Sequence, residues 1–139
     1  MAESVTHLRL VESLIAHISA TYRGFAVFHD LPSLVGAEKP PRIAGFVPDV
    51  YAVDAPTTVT VVGEAKTDGD LLTEHSREQL AAFLRYLALR RAGILVLAVS
   101  WKARATAKNL LISLQSELAC THVGIVVLDG VRSEEPCSK

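Results

Sequence analysis

The segment Ile94–Val99 is apolar at every position, with Gly93 before it and Ser100 after it. A short unbroken run of this kind reads as a strand covered on both faces. Such a strand requires helices above and below its sheet. The flanking segments supply candidates. At about 75–91, Leu80, Phe83, Leu84 and Leu87 recur at helical spacing; at about 102–119, Ala107, Leu110, Leu111, Leu114 and Leu118 do the same. A β-α-β crossover on each side of a buried strand predicts an α/β protein.

The N-terminal half adds a helix at 3–22, striped by Val5, Leu8, Val11, Ile15, Ile18 and Tyr22, and a short strand, Phe25–His29. Pro32, Gly36, Pro40, Pro41 and Gly45 make 30–46 irregular. Phe46–Val53 and Thr58–Lys66 read as strands joined by a turn at Asp54-Ala55-Pro56, hence a hairpin. His122–Leu128 is the last strand. The expected order is α-β-β-β-α-β-α-β, a mixed β-sheet flanked by helices. Residues 1–130 are expected to form one domain, with 131–139 a flexible tail.

Composition narrows the class. A chain of 139 residues suits one domain, and at this size about 70% of the unfolded surface is buried on folding. Half the residues are apolar, which excludes a disordered linker. No apolar run approaches the roughly 18 residues of a membrane span. The start, MAESVTHLRL, lacks the basic-then-apolar pattern of a secretory signal. Cys120 and Cys137 are too few for a disulfide framework or a zinc site. A soluble cytoplasmic protein with reduced cysteines and no membrane association is expected. Its 14 basic and 15 acidic residues leave a net charge of -1, which provides no general attraction to nucleic acid.

The chemistry concentrates in Pro48-Asp49-Val50-Tyr51 and Val61-Val62-Gly63-Glu64-Ala65-Lys66-Thr67. On a strand, Glu64 and Lys66 share a face, with Ala65 opposite. If the two strands are hairpin neighbours, Asp49 approaches the same face. Two carboxylates and an ammonium would then meet among Val, Ala and Gly. Neighbouring carboxylates repel unless a cation lies between them. A hard ion such as Mg²⁺ takes oxygen ligands and retains several waters. Phosphodiester hydrolysis uses such an ion, and a lysine beside it can orient the attacking water or offset charge developing on phosphorus.

Pro48-Asp49 and Glu64-Ala65-Lys66, with the order of elements around them, resemble the signature of the PD-(D/E)XK nuclease superfamily, the restriction-endonuclease-like fold. The chain is similar in size to Holliday-junction resolvases. The resemblance implies a nuclease-like domain with Asp49 and Glu64 as metal ligands, the Ala65 carbonyl as a third, and Lys66 as the catalytic lysine. It implies Mg²⁺, with Mn²⁺ as substitute, DNA as substrate, products bearing a 5′-phosphate, and a homodimer. Many members add an acid from the first helix. Glu12, four residues after Leu8 and three before Ile15, is the candidate, against a water-facing carboxylate at the stripe's edge. Some members add a glutamine after the lysine strand. Gln79 is the candidate, against a capping box with Ser76.

Lys39, Arg42, Arg77 and Lys102 are candidate DNA contacts, as are Arg85, Arg90, Arg91, Arg104 and Lys108, although a solvated helix face is the ordinary role of such charges. Trp101 stacks on a base or packs after the buried strand. Asp54 belongs to the turn, and Asp68 and Asp70 to a loop. His7, His17, His29, His75 and His122 show no metal-ligand spacing, and only His75 falls near the proposed site. The expected activity is a Mg²⁺- or Mn²⁺-dependent DNA endonuclease. The alternative is a catalytically inactive nuclease-fold subunit that serves assembly or binds a protein partner.

Overall fold

The computed structural model describes residues 4–31 and 38–129; the expected tail at 131–139 and part of the 30–46 excursion lie outside them. The described residues form a mixed α/β structure with an open five-stranded sheet and three helices. The elements are α1 (Val5–Thr21), β1 (Ala26–His29), β2 (Val50–Val53), β3 (Val59–Ala65), α2 (Glu74–Ala88), β4 (Ala92–Ala98), α3 (Arg104–Glu117) and β5 (Gly124–Leu128). A 3₁₀ turn, Trp101–Ala103, leads into α3. The strands lie in sequence order: β1, β2 and β3 are antiparallel neighbours, and β3, β4 and β5 run parallel. Among the described residues no helix is long and apolar enough to cross a membrane.

The central strands are covered on both faces. On β4, Leu95 and Leu97 join the core beneath α2 and α3, whereas Val96 and Ala98 join the core beneath α1. Leu10, Val11, Leu14, Ile15 and Ile18 form the buried side of α1. Leu80, Phe83, Leu84 and Leu87 do this for α2, and Ala107, Leu111 and Leu114 for α3. Burying each large aliphatic or aromatic side chain contributes roughly 1.5–3 kcal/mol. The helix α1 crosses β3 closely at Gly63, where an added Cβ would lie 3.0 Å from both Leu14 Cγ and Ile18 Cδ1.

The expected strand at 46–53 is shorter than its apolar content suggests. Ala44 and Gly45 have φ of 53° and 88°, and Ile43 and Phe46 form an isolated bridge across this tight turn. Phe46 then packs edge-on against Phe83 and His75. These apolar residues cover the core without joining the ladder, so β2 begins at Val50.

Parallel strands share an end. The C-terminal ends of β3, β4 and β5 therefore lie beside the N-terminal end of β2, with the starts of α2 and α3 following in the adjoining connections. Ligands of open α/β sheets bind at this edge.

Candidate active site

Register brings the two carboxylates together. Val50 pairs with Gly63, so one further step along the antiparallel ladder sets Asp49 beside Glu64. The Asp49 backbone N–H donates to Glu64 Oε1 at 3.2 Å, and the Ala65 N–H donates to Asp49 Oδ2 at 2.9 Å. Alternation along β3 directs Ala65 into the α1-side core and Glu64 toward α2, the side taken by Val62. Lys66 continues beyond the strand, its N–H donating to the Ala98 carbonyl at 3.0 Å. Its Nζ lies 3.4 Å from Glu64 Oε2 and donates to Gln79 Oε1 on α2. Glu64, Lys66 and Gln79 are 4%, 7% and 7% exposed, so the cluster is largely buried.

Gln79 faces inward because it lies four residues before Phe83 on the buried side of α2. The capping-box alternative for Gln79 is not what forms. The helix starts earlier, with Thr73 as its cap: Thr73 Oγ1 accepts the Ser76 N–H at 3.1 Å. Ser76 Oγ donates to the Asp70 carbonyl at 2.7 Å. The Gln79 side chain reaches Lys66 instead.

Burial dominates the electrostatics of Glu64. Desolvation, reinforced by the negative charge of Asp49, pushes its pKa up to about 8. The Lys66 ammonium and the Asp49 N–H oppose that rise without cancelling it. The pair is therefore short of positive charge. A divalent ion with oxygen preference suits this donor set, since Mg²⁺ commonly takes only one or two carboxylates and completes its shell with waters and phosphate oxygens. Among the described residues no three His, Cys, Asp or Glu side chains are gathered as a metal site.

The first helix contributes differently from expectation. Glu12 is exposed, on the solvent side of α1 rather than on its buried stripe. The buried side is centred on Val11, Leu14 and Ile18, and Glu12 points well away from it. In its place stands His7, whose Nε2 is 3.5 Å from Asp49 Oδ2. Sequence reasoning missed His7 because it sought metal-ligand spacing among histidines. The useful signal was helical: His7 precedes Val11 by four residues and Leu14 by seven, which aligns it with the buried side.

Comparison with protein-family models, with curated proteins and with solved structures found no match. The site's own geometry carries the functional argument.

The remaining candidates divide. Lys102 is exposed in the 3₁₀ turn beyond β4, at the same sheet end as Lys66. Lys39 is exposed, and Arg42 Nη1 donates to the Gly45 carbonyl at 3.1 Å. Arg77 is drawn to α3 by Glu117, 2.5 Å from its Nη2. Arg90 lies over the Tyr86 ring, 5.0 Å from its centroid, and Arg104 faces Asp129 at 3.7 Å. Asp54 serves its turn, accepting the N–H groups of Thr58 and Val59 at 2.7 and 3.1 Å. Asp68 accepts from Ser100 Oγ at 2.8 Å, and Asp70 from Thr67 Oγ1 at 3.2 Å. A hollow of about 210 Å³ opens beside Asp49, lined by Val11, Asp30, Leu31, Val47 and Pro48.

Proposed function

We propose that the protein is a Mg²⁺- or Mn²⁺-dependent DNA endonuclease of the PD-(D/E)XK type, built on a restriction-endonuclease-like core. One observation carries the reading: Asp49, Glu64 and Lys66 converge at the sheet end where β2 begins and β3 finishes, with Glu64 and Lys66 buried and Gln79 holding the ammonium. An isolated surface Glu-x-Lys pair would face water. Here several kcal/mol of desolvation is sustained, and a site that binds a cation and a phosphodiester gives that arrangement a use.

Asp49 and Glu64 would hold the ion, with the Ala65 carbonyl completing the protein's share. When bound, the ion supplies Lewis-acid polarisation of the phosphoryl oxygen and offsets charge on the departing oxygen. The chain's residues do the rest. Lys66, fixed between Glu64 and Gln79, keeps one direction for its N–H donors and uses it to orient the attacking water or meet a phosphoryl oxygen. Water oxygen gives up a proton to solvent and bonds to phosphorus as the opposite P–O3′ bond breaks, and the leaving oxygen takes up a proton from solvent. His7 steadies Asp49 from α1.

The test is cleavage of plasmid, linear, single-stranded and branched DNA with Mg²⁺ or Mn²⁺. The expected result is metal-dependent cutting that falls at least about 100-fold in Lys66→Ala, the loss typical of removing a charge-stabilising donor. A protein that cuts none of these substrates, or a Lys66→Ala variant that cuts as well as the parent, overturns the reading; the former outcome leaves the inactive nuclease-fold subunit.

A further inference from the structure

We propose that β5 is the joint between two copies of this chain, paired antiparallel about a twofold axis at Val126 to make one continuous sheet. The inference does not depend on the nuclease reading. β5 ends the sheet, and among the described residues it is hydrogen-bonded to β4 alone. The opposite edge is treated differently: the His29 N–H of β1 donates to the Glu38 carbonyl at 2.9 Å. Proteins ordinarily blunt a free edge with charge, proline or a bulge. Gly124–Leu128 contains no charge and no proline, and its ladder with β4 runs in unbroken register.

Backbone direction decides what this edge offers. The Leu128 carbonyl accepts the Val99 N–H at 2.9 Å, so Leu128 turns its polar groups toward β4. Alternation turns those of Ile125 and Val127 outward. In an antiparallel pair centred on Val126, Ile125 exchanges both hydrogen bonds with the partner's Val127, and Val127 with the partner's Ile125. The same register sets half-buried Leu128 across from the partner's Gly124, a position with no side chain, on the α1 side of the sheet. The strand is complementary to itself, which favours a second copy over an unrelated strand.

A five-residue edge falls short of the roughly 1,200 Å² that stable interfaces bury, and α3 supplies more. Arg104 faces Asp129 at 3.7 Å, and Gln115 Nε2 donates to the Val123 carbonyl at 2.7 Å, so this side of α3 follows β5. Ile112, 48% exposed, stands between these anchors and further out, where the twofold brings it against the partner's α3. Lys108, exposed on the same side, carries its ammonium into water on a long stem. Residues 131–139 are a poor substitute cover, with Arg132, Glu134, Glu135, Pro136 and Lys139 among them. Antiparallel joining points the two Asp49–Glu64 ends in opposite directions, so each would meet its own phosphodiester.

The full chain in metal-free buffer is followed by sedimentation equilibrium, and by amide hydrogen exchange read by NMR residue by residue. The expected mass at high concentration is twice the 15.0 kDa of the chain. The Ile125 and Val127 amides are expected to exchange at least about tenfold more slowly in the dimer than in the monomer, with those of Val126 and Leu128 protected in both. Ile112→Glu, which sets like charges beside the axis, is expected to weaken the dimer at least about tenfold with an unchanged circular dichroism spectrum. Val127→Pro, which removes an N–H that β4 does not use, is expected to give a folded monomer. A parent that stays monomeric at about 100 µM overturns the proposal. So do Ile125 and Val127 amides already protected in the monomer, the sign that a segment of the same chain covers the edge. A dimer that Ile112→Glu leaves equally tight also overturns it, and this variant decides if Val127→Pro does not fold. DNA cleavage enters none of these readouts, so the nuclease reading stands or falls separately.

Discussion

The β2–β3 hairpin holds an acid at each end, and the two ends treat it oppositely. At the closed end, Asp54 is half-buried and is met by two backbone N–H groups and the Thr58 hydroxyl. The Thr58 hydrogen bond and those backbone donors hold its carboxyl below the usual range. At the open end, Glu64 is buried beside Asp49 and is pushed up to about 8 despite Lys66. One hairpin thus contains a carboxylate its own loop satisfies and a carboxylate it leaves short of positive charge. Turn chemistry accounts for the first. The second is left short of positive charge, which is what the proposed divalent ion would supply.

Asp49→Asn breaks the open end most severely. Cleavage is expected to fall about 100-fold or more. Millimolar Mn²⁺ is expected to raise the parent's Tm by several degrees, through preferential binding to the folded state, and to leave that of Asp49→Asn unchanged. Differential scanning fluorimetry with and without the ion checks this, and a shift that survives in Asp49→Asn would exclude that residue as a ligand.

A smaller effect lies in pH. Because Glu64 binds its proton more tightly folded than unfolded, its contribution to stability is complete below about pH 4.5 and is lost as the pH rises through about 8. In metal-free buffer the parent is therefore expected to lose stability relative to Glu64→Gln across that window, as read by urea unfolding at successive pH values. Added Mg²⁺ should flatten the decline by favouring the ionised carboxylate. A difference between the two proteins that is constant with pH would show that Glu64 does not titrate in this range.

The smallest effect belongs to the closed end. Asp54→Asn is expected to lower Tm by no more than a few degrees, with cleavage intact. A large loss of activity there would erase the contrast between the two ends.

What was legible follows the same physical division. Local pattern marked the strands and helices well where burial is two-sided or periodic, as at Leu95–Val99 and Leu80–Leu87. It also marked Asp49, Glu64 and Lys66, because strand alternation and hairpin pairing are short-range geometry. It over-extended β2 at Phe46, whose apolar ring serves the core from a loop. It chose Glu12 over His7 because it sought an acid by residue type and reckoned it from Leu8, at the edge of an α1 stripe that was also drawn too far, to the exposed Val5. It left Gln79 open between two roles, since the true cap, Thr73, lay upstream of the helix start inferred from Ser76. Each of these depended on how one element meets another, which periodicity along a single segment does not encode.

Gly63 sits one residue before Glu64 and on the opposite face, directly under α1. Strand and helix close on each other there like the jaws of a clamp with no shim between them. A Cβ added there would press on the Leu14 and Ile18 side chains, on the same helix that brings His7 to Asp49. The setting of the Asp49–Glu64 end thus leans on a position that bears no charge, where even a methyl group would have to be taken up by Leu14 and Ile18.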